Sequence, residues 1–330
     1  MAKVTRNEEA VRAPRTRQEV LYWLEGGRIG GRAAVRYLEH FVDPQPAPES
    51  ELPTVIRPRF AANGLEELDA LVGLPLIKAM VREIQAFVEI QRRRQDLGLK
   101  SEAHMMHMVF KGPPGTGKTT VARILGKIFH ASEVLSQGHL VEVERADLVG
   151  EYIGHTAQKT REAIRRALGG ILFVDEAYSL ARGGAKDFGK EAIDTLVKAM
   201  EDQKDQFILI LAGYPQEMNA FIEINPGLRS RFSSIFDFPN YSPHELVAII
   251  RHMVTERQYQ LSAEVELELV HYFEKIDGAL HPYAGNARMA RNLIESAMRR
   301  QALRLVRSVK EPSRAQLMEL RWSDFQPLPR

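Results

Sequence analysis

Apolar positions along this chain change period several times, and each change predicts a new element. From Leu65 onward, short unbroken apolar runs alternate with stripes of helical spacing. The runs predict strands at 107–111, 139–143, 171–174 and 207–212, with a last short one near 235–238. The stripes between them predict helices at 76–90, 118–130, 156–168 (ended by Gly169-Gly170) and 190–201. Strands that are apolar on both faces, each followed by a helix, predict an α/β parallel sheet with helices on both faces.

Past Tyr241 the strand pattern stops. Ser242-Pro243-His244-Glu245 combines a capping serine, a proline at the first helical position and a glutamate three residues on, a capping box that opens a helix. Helical spacing then predicts segments at 243–257, 263–275, 286–306 and 314–320, an all-helical C-terminal region. At the other end, residues 16–41 predict a helical pair, with one stripe at Val20, Leu21 and Leu24 and a second at Val35, Leu38 and Phe41. Residues 43–64 carry Pro44, Pro46, Pro48, Pro53 and Pro58, a linker composition. The expected organisation is a small helical module (1–42), a Pro-rich linker (43–64), an α/β nucleotide-binding domain (65–240) and a helical domain (241–330). The small module reads equally well as a hairpin packed on the main body or as a docking element.

Composition narrows the class. The 330 residues are 44% hydrophobic and 27% charged, ordinary for a globular chain. Lys+Arg (45) nearly balance Asp+Glu (43), so no global field favours nucleic acid or a membrane surface. With no cysteine there is neither a disulfide nor a thiolate site. No apolar run reaches the ~20 residues of a membrane span, and the N-terminus has no signal-peptide core. The expected location is the cytoplasm.

The chemistry concentrates at Gly112-Pro113-Pro114-Gly115-Thr116-Gly117-Lys118-Thr119, which fits the phosphate-binding pattern G-x-x-x-x-G-K-[ST]. An apolar run leads in and a helical stripe, including Thr120, leads out, the strand–loop–helix context the pattern requires. Glycines allow close backbone approach, so the loop amides converge on an anion at the positive end of the following helix. Lys118 would reach the β- and γ-phosphates, and the Thr119 hydroxyl would ligate Mg²⁺. The run Ile171-Leu-Phe-Val174 ends in Asp175-Glu176, a Walker B pattern: Asp175 would hold Mg²⁺ through water and Glu176 would polarise the attacking water. His104 and His107 have no third ligand nearby, so a metal site there is not expected. The basic residues Arg299, Arg300, Arg304 and Arg307 read as a solvated face or subunit contact rather than a DNA patch.

These residues, together with Phe173-Val-Asp-Glu-Ala-Tyr-Ser-Leu180, Leu211-Ala-Gly-Tyr214 and Asn225-Pro-Gly-Leu-Arg-Ser-Arg-Phe232, resemble the AAA+ ATPases. Within these the chain is similar to the CbxX/CfqX group, which contains red-type rubisco activases and a sporulation branch. The resemblance spans about 65–325, and the long N-terminal module favours the sporulation branch. It implies a ring-forming ATPase, a homo-oligomer expected to be a hexamer, using ATP and Mg²⁺ to remodel a client protein. It implies that Val72 and Gly73 clasp adenine and that Tyr152, Ile153 and Gly154 form an aromatic pore loop. Residues 182–189 would form a second such loop. Arg231, with Arg229 close behind, would be the arginine finger of a neighbouring site. Arg288 in Gly285-Asn286-Ala287-Arg288 would be the sensor 2 arginine. Tyr214 stands where the family commonly has Asn or Thr. A rubisco-activase-like chaperone, a nucleic-acid motor or loader and a nucleotide-gated scaffold are the alternatives.

Overall fold

The computed structural model describes residues 17–40, 62–100, 105–152, 154–182, 188–232, 234–277, 285–308 and 310–326. Residues 43–61 of the expected linker, Ile153 and residues 183–187 of the expected second pore loop lie outside them, as do His104 and Phe41, while linker residues 62–64 begin a helix. Residues 1–58 and 59–330 form two compact units. In the first, α1 (Arg17–Glu25) and α2 (Gly31–His40) bury Val20 and Ala34. Leu24, expected in the stripe, is instead exposed, because a nine-residue helix buries only one narrow row.

The second unit is built on strands β1 (Met108–Lys111), β2 (Leu140–Val143), β3 (Ile171–Val174), β4 (Ile208–Gly213) and β5 (Ser234–Asp237). They form one parallel sheet in the order β2-β3-β4-β1-β5. Period-two alternation splits the sheet's side chains between two cores. Met108, Phe110, Ile171, Phe173, Ile208 and Ile210 pack on one face with α3 (Ala62–Ala70), α4 (Pro75–Asp96) and α5 (Lys118–Ala131). Val109, Leu172, Val174, Leu209 and Leu211 face the other way, against α7 (His155–Ala167), α8 (Gly189–Asp202) and α9 (Pro215–Ile224). Short helices α6 (Arg145–Leu148) and α10 (Pro226–Arg229) lie in the connections after β2 and α9. Because β4 runs between β1 and β3, its end falls between the ends of the other two. His107 is a core residue: its Nδ1 accepts from the Leu209 amide at 3.0 Å, and burial lowers its pKa to about 4.

The C-terminal helices are α11 (Pro243–Glu256), α12 (Ala263–Asp277), α13 (Asn286–Ser308), α14 (Arg314–Met318) and α15 (Trp322–Phe325). The capping box forms: the Glu245 amide donates to Ser242 Oγ at 3.3 Å and Ser242 N to Glu245 Oε2 at 2.8 Å. Leu246, Ile250, Leu269, Phe273 and Ile294 make a separate core. Two expectations need correction here. Strands do not stop at Tyr241, since Gln260–Leu261 (β6) and Glu319–Leu320 (β7) pair in parallel. The basic row on α13 is not simply solvated. Arg304 binds the buried Asp324 through two bonds of 2.9 and 2.8 Å, and Arg300 donates to the Asp324 carbonyl at 2.9 Å. These residues tie α15 to α13, because a buried carboxylate requires a partner. Among the described residues no helix is long and apolar enough to cross a membrane.

Candidate nucleotide site

The ends of β1, β3 and β4 and the start of α13 surround a cavity of about 290 Å³. Pro114, Gly115, Gly117, Lys118, Thr119 and Thr120 line it from the loop after β1. Asp175 and Glu176 line it from the end of β3, and Arg288 from α13. The sequence spreads these residues over 175 positions, from Pro114 to Arg288; the sheet order and the first turn of α13 bring them together. Gly112, Pro113 and Thr116 complete the loop without lining the cavity. The Gly112 amide extends the sheet by donating to Gly213 O at 3.1 Å, and buried Thr116 Oγ1 donates to Pro113 O at 2.9 Å.

Lys118 is the cation at the centre. Its Nζ donates to the carbonyls of Gly112 and Pro113, both at 2.8 Å. Burial lowers its pKa to about 8, with Asp175 opposing the shift and Arg288 adding to it. A half-buried ammonium held by neutral carbonyls is a group that a polyanion would recharge. Glu176 adopts a left-handed backbone, φ 45°, at the turn into the 3-10 segment 177–181. Its amide donates to Asp175 Oδ1 at 2.9 Å. Such strain at a non-glycine residue is characteristic of working sites. Backbone amides, two nearby cations, a hydroxyl and two carboxylates suit a triphosphate with Mg²⁺ and a water to be activated.

The cavity also contains Tyr214, Tyr178 and Arg291, to which the sequence reading gave no firm role or none. Tyr214 follows β4, the strand between the phosphate loop and the acids, so topology explains its position. The Tyr178 and Tyr214 rings stack with centroids 5.9 Å apart, and the Arg182 guanidinium lies 4.6 Å from the Tyr178 ring centre. Burial pushes both tyrosine pKa values up. Arg291 lies three residues after Arg288, and that i, i+3 spacing was the available signal.

Other expected residues lie elsewhere. Val72 and Gly73 sit in the turn before α4, where Gly73 packs beside Glu245 and Tyr241 at the start of the C-terminal helices. Tyr152 is 66% exposed, its ring edge-on to His155 at 5.5 Å. The stem below it is fixed: Gly150 N donates to Thr156 Oγ1 at 2.9 Å and Thr160 Oγ1 donates to Leu148 O at 3.1 Å. Arg231 is committed within its own chain, donating to Gly227 O at 2.6 Å and pairing with Glu201 of α8. Arg229 is exposed at the end of α10. Within one chain, then, Arg231 is paired and Arg229 is exposed.

Residues 108–240 match the family of ATPases associated with various cellular activities (AAA), and residues 242–330 match the AAA lid domain. Stage V sporulation protein K of Bacillus subtilis (strain 168) is 53% identical over 264 residues, 78% of this chain and 82% of that protein. A chloroplastic ribulose bisphosphate carboxylase/oxygenase activase of Cyanidioschyzon merolae is 45% identical over 243 residues, 73% of this chain and 82% of that protein. Among solved structures, the FIGL-1 AAA domain in complex with ADP superposes with a TM-score of 0.53 at 18% identity. That match covers 78% of this chain and 80% of the other, and it bears on the fold alone.

Proposed function

The chain belongs to the AAA ATPases, and from that premise we propose that it is a ring-forming protein remodeller acting in spore maturation. AAA ATPases bind ATP with Mg²⁺ and hydrolyse it. In our reading the loop amides and Lys118 hold the phosphates, Thr119 and Asp175 hold Mg²⁺, and Glu176 activates water. Val72 and Gly73 flank the adenine, and Arg288 carries the state of the phosphates to the lid. Arg229 completes the site of the neighbouring subunit in a homo-oligomer, expected to be a hexamer. Tyr152, Ile153 and Gly154 grip an extended client in the pore, as an aromatic side chain grips by packing, whatever the client's sequence.

The observation that carries this reading is the convergence of Lys118, Thr119, Asp175, Glu176 and Arg288 on one cavity. The relative at 53% identity supports the sporulation branch, and the one at 45% supports a second reading in which the client is rubisco. The test is a client trap. Glu176→Gln should lose at least about a hundredfold in turnover, still bind ATP, and retain a client that the double variant with Tyr152→Ala releases. Failure of the variant both to assemble with ATP and to retain protein in a Tyr152-dependent way would sink the remodelling mechanism, and the identity of a retained protein separates the two branches. Arg229→Ala should abolish most turnover in the assembled protein, by about a thousandfold, with thermal stability unchanged. Arg231→Ala should instead lower the melting temperature; equal turnover losses without destabilisation would restore Arg231 as the finger.

A further inference from the structure

The phosphate loop is held from outside as well as from within. Two of its carbonyls, Gly112 and Pro113, are engaged by Lys118 and Thr116 of the loop itself. The next three are engaged by the lid and the hinge before it. Asn286 Nδ2 donates to Pro114 O at 3.3 Å, the Ala287 amide to Gly115 O at 3.1 Å, and the Tyr241 hydroxyl to Thr116 O at 3.1 Å. Every carbonyl from Gly112 to Thr116 is thereby directed.

A peptide unit is planar and trans, so its C=O and the next residue's N–H point in opposite directions. Fixing the carbonyls of Pro114, Gly115 and Thr116 therefore fixes the amides of Gly115, Thr116 and Gly117. These amides lie on the opposite edges of their peptide planes from the lid contacts. They are the groups through which a glycine-rich loop cradles phosphate.

Asn286 is shaped for this position. It is 3% exposed, and its backbone is left-handed, φ 43°, a conformation asparagine tolerates better than most residues. Its side-chain oxygen accepts from the Tyr241 amide at 3.0 Å, which assigns the amide orientation and turns Nδ2 toward two acceptors, Pro114 O and Asn240 Oδ1 at 2.9 Å. One side chain thus joins the loop, the hinge and the first turn of α13.

We propose that Asn286 and Tyr241 are positioning residues for phosphate recognition. They hold three peptide planes of the loop so that the amides face the nucleotide, which makes diphosphate affinity and lid docking two readouts of one contact. This rests on the nucleotide-site reading above. It differs from recognition by Arg288, which acts through a charge; the latch acts on the loop backbone and serves ADP and ATP alike.

The test uses the full chain with two variants. Asn286→Gly keeps the left-handed backbone and removes the side chain, and Tyr241→Phe removes only the hydroxyl. Each should weaken ADP about fivefold, weaken ATP by the same factor, and raise the KM for ATP in parallel. A loss of folded protein would lower kcat and leave the KM in place. By linkage, ADP should protect the amides of the first α13 turn from hydrogen exchange in the wild type and less in both variants. ADP affinity within twofold of wild type in Tyr241→Phe would overturn the proposal, and that variant decides alone if Asn286→Gly fails to fold. A wild type that binds no ADP would sink the nucleotide reading itself instead.

Discussion

Two loops in this molecule look alike in sequence and differ in what surrounds them. The phosphate loop follows strand β1 and the loop at 149–154 follows helix α6; each contains glycine and leads into a helix. Gly115, at φ 73°, is enclosed: a β-carbon there would lie 2.5 Å from Gly285 O and 3.0 Å from the Arg288 amide. At Gly154, φ 83°, no atom of the described residues beyond its chain neighbours lies within 4 Å of the same point. The first loop is finished, its carbonyls bonded and its shape set for one ligand. The second is finished only at its stem, where Thr156 and Thr160 clamp it, while Tyr152 stands in solvent. A loop that recognises a fixed polyanion gains from preorganisation, whereas one that takes hold of chains of many sequences gains from being open.

The largest effect should come from placing the same methyl group in both loops. Gly115→Ala meets backbone from the lid, which cannot rotate away, in addition to the left-handed strain. We expect a loss of at least about a hundredfold in ATP affinity, the overpacking and strain together being worth about 3 kcal/mol or more. Gly154→Ala meets only the strain, about 1 kcal/mol, and should leave ATP affinity unchanged. Nucleotide titration with thermal melts checks both, and equal affinity losses would break the contrast.

The second effect is a proton. The Lys118 pKa is lowered to about 8, chiefly by burial. Bound phosphates favour the charged form and raise it. Affinity gained through Lys118 is therefore fully present below pH 8 and declines as pH rises through 8, where the free lysine loses its proton. Binding at pH 8, where the nucleotide's terminal phosphate is already ionised, should take up about half a proton. Calorimetry in two buffers of different ionisation heat measures this directly. No exposed lysine would show it, and proton release on binding would contradict the assignment.

Much of this site was legible in the sequence because its chemistry constrains residue type at fixed spacing. The pattern that holds Gly115, Gly117, Lys118 and Thr119 and the acids Asp175-Glu176 at the end of an apolar strand are both local, and the residues they mark line one cavity. The sheet was legible for the same kind of reason, since Phe110, Phe173 and Ile210 are apolar runs that only a doubly covered strand tolerates. What escaped were contacts between distant segments that no local pattern encodes. The Arg231–Glu201 pair spans 30 positions, and the Arg304–Asp324 pair spans 20. The sequence analysis assigned no helix at α9, although Pro215 opens it and proline at a first helical position starts a helix. The lid's hold on the loop joins Pro114 to Asn286 across 172 positions, and asparagine in a left-handed turn has no periodicity to betray it.

The smallest effect is the most demanding of the open loop. Tyr152 is 66% exposed, and its ring meets the edge of His155. Removing an exposed ring costs little burial, so Tyr152→Ala should change stability by less than about 0.5 kcal/mol. ATP affinity should not move either, since Thr156 and Thr160 hold the stem and Tyr152 is absent from the nucleotide cavity. Only the coupling between turnover and client should be lost, read as failure of the Glu176→Gln trap to retain protein. A melting temperature that fell by several degrees would mean that Tyr152 is a packing residue in the assembled protein. The two loops would then differ only in which surface encloses them, and the open loop would be an interface rather than a grip.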